Sequence, residues 1–189
     1  METDIKTTAN GVDIARLRDT VEAVKKFPKL GLFRFQIANE WIDGAENRSK
    51  VKLFCGQDQL LSHKTELQLT ADEPDVLLGN DTAANPLEHL LHALASCVTT
   101  SIVYHAAARG IAIEQLESFL EGDMDLRGFL GLDPSVRNGY RAIRLKLRIK
   151  ANVTDEQLQE LISLGPTFSP AFDSISRGVP IAVSAERIA

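Results

Sequence analysis

Apolar positions along the chain change their period several times, and each change marks an element. After a polar stretch over residues 1–10, Ile14, Leu17, Val21 and Val24 recur at helical spacing up to Phe27-Pro28, which predicts an N-terminal helix. From Leu32 the period becomes two. Phe33, Phe35 and Ile37 alternate with Arg34 and Gln36, Val51 and Leu53 with Lys50 and Lys52, and Leu67 and Leu69 bracket Gln68, so three strands are expected. Between the first two, WIDGAENRSK carries Asp43-Gly44 and reads as a turn, with Arg48 in the loop or at the start of the next strand. Residues 71–84 are acidic, hold Pro74 and Gly79 and sustain no period, as expected of a loop.

The next stretch, residues 85–110, predicts one long buried helix. Asn85 suits the N-cap, Pro86 the first helical position, Glu88 the first-turn dipole, and Arg109-Gly110 the far end. Leu87, Leu90, Leu91, Leu94, Val98 and Ile102 mark a wide core face, and Cys97 stands at its middle. Beyond it, a strand is expected around Leu116–Leu120, followed by a loop with large residues Leu126, Phe129 and Leu130. Tyr140–Ala151 alternates cleanly, with Ile143, Leu145, Leu147 and Ile149 opposite Arg144, Lys146, Arg148 and Lys150; such a basic stripe reads as a solvated face. Thr154 and Gln157 form a capping-box pattern for a helix that Gly165-Pro166 should end. A short turn or helix from Pro170 and a last strand over Val179–Ala185 complete the chain. This order predicts an α+β fold with helices set against largely antiparallel sheet.

Composition narrows the function classes. With 189 residues, 44% of them hydrophobic, the chain can bury a sizeable core, and a net charge of −5 argues against nucleic acid as its partner. No wholly apolar run of membrane-spanning length stands out, and METDIKTTAN lacks the basic and apolar regions of a secretion signal, so a cytoplasmic protein with no membrane partner is expected. Cys55 and Cys97, in dissimilar surroundings, form no disulfide framework.

Cys97 reads either as a small core residue or as a nucleophile activated from elsewhere in the fold. Cys55 falls in register with Val51 and Leu53 and reads as a core-facing strand residue. His89 and His92 lie three apart in E-H-x-x-H order, whereas a zincin needs H-E-x-x-H, and no further ligand cluster accompanies them; neither metal nor cofactor is expected. Neither histidine is placed to pair with Cys97 along the helix, and His105 is eight residues away, which leaves an arginine brought in by the fold to favour the thiolate.

N-P-x-E-x-L-L-x-A-L-A-S-C over Asn85–Cys97, then Ala108-Arg-Gly-Ile, Gly122-Asp-x-Asp-Leu-Arg-Gly, the Gly139-Tyr-x-x-Ile-Arg strand and Ser169-Pro together resemble the OsmC/Ohr family of stress-induced thiol peroxidases. The resemblance spans about residues 30–187, which leaves 1–29 as an added N-terminal tail and helix and 30–189 as the OsmC-like domain. It implies an intertwined homodimer with a sheet packed on the cysteine-bearing helix. It also implies reduction of organic hydroperoxides, with an arginine and a glutamate activating the thiol and a second cysteine resolving the sulfenic acid.

Carried over, the resemblance makes Cys97 the peroxidatic residue, with Arg48 and Glu88 as the charged partners. Two positions depart from it. The second family cysteine precedes a proline, where this chain has Ser169, and the family glutamate follows N-P directly, where this chain has Leu87 with Glu88 one place later. Ser169 before Pro170 fits a helix cap, and Arg48 and Glu88 also read as solvated surface charges. Two function classes follow. One is a one-cysteine, peroxiredoxin-like reductase of organic hydroperoxides whose sulfenic acid is resolved by an external thiol reductant. The other is a non-catalytic dimer that binds a hydrophobic small molecule at the subunit interface.

Overall fold

A computed structural model describes residues 8–188. It forms two compact units, the first ending at His92 and the second starting at Ala93, so that a single helix closes one and opens the other.

In the first unit, β1 (Thr8–Ala9) and β2 (Val12–Asp13) pair through Asn10-Gly11, both at positive φ, the geometry of a two-residue hairpin. Part of the expected polar tail is therefore ordered; positions 1–7 lie outside the described residues. Asp13 then caps α1 (Ile14–Lys26), the expected N-terminal helix, by accepting the Arg16 N–H at 3.0 Å. Strands β3 (Phe33–Phe35) and β4 (Ala38–Asp43) pair with successive stretches of β5 (Glu46–Gly56), and β6 (Gln59–Ala71) pairs along its other edge. All pairings are antiparallel.

The first expected strand is thus present but broken at Gln36-Ile37, and WIDGAENRSK is mostly strand. The connection needs only Gly44 and Ala45, with Gly44 at φ +51°, so Trp41–Asp43 and Glu46–Arg48 are free to pair and Arg48 lies inside β5. At the other end of β5 the Phe33 ring covers Gly56, where a Cβ would come within 2.4 Å of it. Phe33, Phe35, Phe54 and His63 continue as a row of ring contacts with centroids 5.1–6.1 Å apart. Much of this sheet is uncovered: Phe35 is 74% exposed and Trp41 70%.

Asp72, fully buried, organises the loop that follows. Its carboxylate accepts the N–H groups of Glu73, Asn80 and Thr82 and the Thr82 hydroxyl at 2.8–3.2 Å. Burial alone would push this carboxyl up, but the four donors outweigh it and hold it below the usual range.

The second unit is built on α2 (Pro86–Ala108). Leu94, Val98, Ile102 and Ala106 form the core with Leu161 and Leu164 of α4 (Asp155–Phe168). By length and composition α2 is the one described helix that could cross a membrane, yet this face is packed inside the unit. The apolar sides of β7 (Gln115–Asp123) and β8 (Ala142–Lys150), among them Leu116, Leu120, Ile143, Leu145 and Leu147, close over the same core. Their other sides carry acids on β7 facing bases on β8: Glu117 meets Arg148, and Glu121 and Asp123 both meet Arg144. Arg144 and Arg148 of the basic stripe are therefore engaged by their own sheet. Between the strands, α3 (Leu126–Phe129) is capped by Asp125, whose carboxyl its hydrogen bonds to Arg127 hold at about 2.

In the second unit, two expectations need correction. The Thr154–Gln157 capping box forms, but α4 runs through Gly165-Pro166 to Phe168. Gly165 serves packing rather than termination, since a Cβ there would lie 2.7 Å from Val98 Cγ1 of α2, and Pro166 forfeits one ladder bond a single turn from the end. Val179–Ala185 is not a strand. Its alternation is real, but no described strand pairs with it, and Ile181 and Val183 remain 83% and 90% exposed. The fold class stands: mixed α and β, with antiparallel sheets.

Candidate functional site

Cys97 lies half-buried on α2, between buried Leu94 and Val98 on one side and buried Ser101 a turn later, whose hydroxyl donates to the Cys97 carbonyl at 2.9 Å. Its thiol meets the start of a different helix. Residues 170–177 form α5, with Ser169 as N-cap and Pro170 in the first turn, and the Ala171 N–H donates to Cys97 Sγ at 3.4 Å. The sulfur therefore faces the positive end of a helix dipole, and one of that helix's unpaired N–H groups bonds to it directly. A helix N-terminus is one of the settings that favour a thiolate. From sequence, an arginine is the expected source of that help. The Ser169-Pro170 cap signature was there to be used, but the proximity of residues 74 positions apart was not.

Ser169 is only 2% exposed. Its hydroxyl accepts the Phe172 N–H at 3.1 Å, and its own N–H donates to the Gly165 carbonyl at 2.9 Å. Where the resemblance expects a second cysteine, Ser169 serves as the cap of the helix whose Ala171 N–H meets Cys97 Sγ.

The two charged residues proposed with Cys97 have local roles in the first unit. Arg48 contacts Glu46 at 3.7 Å on the same strand. Glu88 closes a capping box at the start of α2: its carboxylate accepts the Asn85 N–H at 2.9 Å, while Asn85 Oδ1 accepts the Glu88 N–H at 2.8 Å. His89 Nε2 is 2.8 Å from the Thr70 carbonyl, so that ring nitrogen has a backbone partner.

Cys55 is not a core residue. It is half-exposed, paired with Arg34 across β3 and β5, and its sulfur accepts from Arg34 Nη2 at 3.4 Å and Gln36 Nε2 at 3.8 Å. The hydrogen bond to Cys55 and the charge interaction with it raise the Arg34 pKa. Among the described residues, the guanidinium that bonds to a thiol is that of Arg34, at Cys55. Alternation puts Arg34 and Gln36 on one side of their strand, yet the partner strand and register that bring them to Cys55 have no local signature.

Farther along α2, His105 stacks on Phe168 at 3.8 Å between centroids, with Arg109 Nη1 3.5 Å from its Nδ1. Burial, and secondly the Arg109 charge, lower its pKa.

The family model for OsmC-like proteins matches residues 79–184, which include Cys97, Ser169 and Ala171. Among solved structures, the chain is similar to an OsmC-like protein from Mycoplasma pneumoniae, with a TM-score of 0.58 at 20% identity over 76% of this chain and 87% of that one. It is also similar to an organic hydroperoxide resistance protein OsmC from Legionella pneumophila, with a TM-score of 0.53 at 15% identity over 75% and 89%. An OsmC-like protein of unknown function from Vibrio cholerae has a TM-score of 0.55 at 14% identity over 75% and 92%. No curated protein matches the sequence.

Proposed function

Because the chain belongs to the OsmC-like family, whose model matches more than half of its length, we propose that it is a one-cysteine reductase of organic hydroperoxides acting through Cys97. The observation that carries this reading is the Ala171 N–H bonded to Cys97 Sγ, with Ser169 rather than a second thiol capping that helix. The name of the Legionella pneumophila protein supports the choice of substrate class.

In the reaction, the Cys97 thiolate attacks one oxygen of the hydroperoxide. The S–O bond forms as the O–O bond breaks, leaving Cys97 sulfenic acid, and the departing alkoxide takes a proton to become the alcohol. The Ala171 N–H, fixed at the dipole end of α5, stabilises the anionic sulfur before attack. With serine at 169, the sulfenic acid is resolved by an external thiol: a mixed disulfide forms with loss of water, and a second thiol molecule then releases reduced Cys97 and the small disulfide.

Arg48, whose described ion pair is the 3.7 Å contact with Glu46, is our candidate for the guanidinium that meets the peroxide. Glu88 commits its carboxylate to the Asn85 capping box and takes no step in this reaction. We take the working form to be a homodimer in the reducing cytoplasm, where both cysteines stay free, in line with the uncovered apolar residues of the first sheet.

The test is consumption of cumene hydroperoxide with dithiothreitol by wild type and Cys97→Ser, together with the mass of the Cys97 peptide after one equivalent of peroxide. Wild type should consume peroxide and gain one oxygen on that peptide. Consumption no greater than that of Cys97→Ser would replace the enzyme reading with a protein that binds a hydrophobic small molecule.

A further inference from the structure

We infer that Ser169 is a positioning residue for Cys97: its hydroxyl caps α5 and so holds the Ala171 N–H on the thiol sulfur. The inference rests on the reading of Cys97 as a reactive thiol.

Each backbone group in the first turn of α5 has an assigned place. Pro170 has no N–H to give. The Ala171 N–H goes to Cys97 Sγ, the Phe172 N–H to Ser169 Oγ, and the Asp173 N–H to the Ser169 carbonyl. Ser169 is tied at three atoms, since its own N–H reaches the Gly165 carbonyl, and it is buried enough that water cannot substitute for its hydroxyl. Gly165 in turn lies against Val98, the neighbour of Cys97. Thus α4 anchors the cap, the cap fixes the first turn, and the turn aims one N–H at the sulfur. A helix of eight residues is too short to hold its first turn by propensity alone, so its start depends on the cap. Where the resemblance expects a resolving thiol, this chain has a residue that acts on the same sulfur through backbone geometry.

Iodoacetamide alkylation of Cys97, followed against pH by peptide mapping, tests this, with Cys55 in the same molecule as an internal reference for folding. In Ser169→Ala, Cys97 should react about 2- to 5-fold more slowly near neutral pH, the size usual for loss of a charge interaction at a helix terminus. The midpoint of its rate–pH curve should move up, while the Cys55 rate stays put. Ser169→Gly, which disturbs the helix start less than alanine but also lacks the oxygen, should show the same change. Ser169→Thr or Ser169→Asn restores an accepting oxygen, and at least one should bring back the wild-type curve.

Alanine and glycine variants with the wild-type curve would overturn the assignment. So would a slowed alanine variant that neither threonine nor asparagine rescues. A wild-type Cys97 no more reactive than a small-molecule thiol would overturn both this inference and the proposed function. A reactive Cys97 indifferent to position 169 would overturn only the inference.

Discussion

The N–H of Ala171 and the sulfur of Cys97 meet at 3.4 Å although 74 residues separate them in the chain. Position 169 caps the same helix two residues before Ala171, and Ser169→Cys should give an internal disulfide on peroxide treatment and several-fold faster dithiol-driven turnover. The ring it closes spans residues 97–169, for which chain entropy predicts about 4 kcal/mol of stabilisation, less about 1 kcal/mol for the lost cap. Non-reducing peptide maps and denaturation with and without reductant would check this. A variant that stays fully reduced in peroxide would show that the two sulfur positions cannot meet.

The other thiol also has a donor. A core-facing Cys55 would leave Cys97 the faster thiol to alkylate, but the Arg34 guanidinium on Cys55 changes that balance. Both cysteines should label near neutral pH, and Arg34→Ala should slow Cys55 several-fold while leaving Cys97 unchanged. If Arg34→Ala does not alter the Cys55 rate, the contact is chemically idle.

Asp72 presents four acceptor contacts in a fully buried place. Asp72→Asn turns one oxygen into a donor facing N–H groups, and should cost about 2–3 kcal/mol. Equilibrium urea denaturation is the measurement. A loss well below 1 kcal/mol would mean that the loop holds itself.

His105 ties stability to pH. Its folded-state pKa is lowered, so the folded chain binds fewer protons than the unfolded chain around the ordinary value of about 6.5. Stability is therefore fully present above that value and declines as pH falls through it. The denaturation midpoint should fall between pH 7.5 and 5.5, and fall less in His105→Phe, which keeps a ring against Phe168 but does not titrate. Parallel declines would assign the effect to other groups.

Phe35, Trp41, Leu60, Ile181 and Val183 are each at least 65% exposed in the single chain. A homodimer would cover part of this surface, and sedimentation should give one species of twice the chain mass. A monomer at micromolar concentration would contradict the proposed working form.

What could be read from sequence depended on whether the physics was local. Alternation in Tyr140–Ala151, the Thr154–Gln157 capping box and the Asn85 cap are set by neighbouring residues, and all three appear in the structure. Gly165-Pro166 looked like a stop because both residues disfavour helix, but the close approach of Val98 makes glycine useful there. Val179–Ala185 has a strand's alternation without a described pairing partner. At the site, Cys97 and the Ser169 cap were legible, but the bond from the Ala171 N–H to Cys97 Sγ was not, because it depends on α5 meeting α2. The partnership of Arg34 with Cys55 was hidden in the same way by strand register.

Tyr140 lies across Gly122, where any Cβ would come within 2.4 Å of its ring. Residues 124–141 separate β7 from β8, too long a connection to count off the pairing as a two-residue turn does. Cross-strand charges do not count it either, since a shift by two residues would still set acids near bases. The notch at Gly122 can: after such a slip the ring would meet a side chain instead of bare backbone. Phe33 over Gly56 repeats the device in the first unit. The β3–β6 and β7–β8 sheets thus each carry a ruler with one mark, and filling either glycine would remove the mark while leaving the hydrophobic pattern untouched.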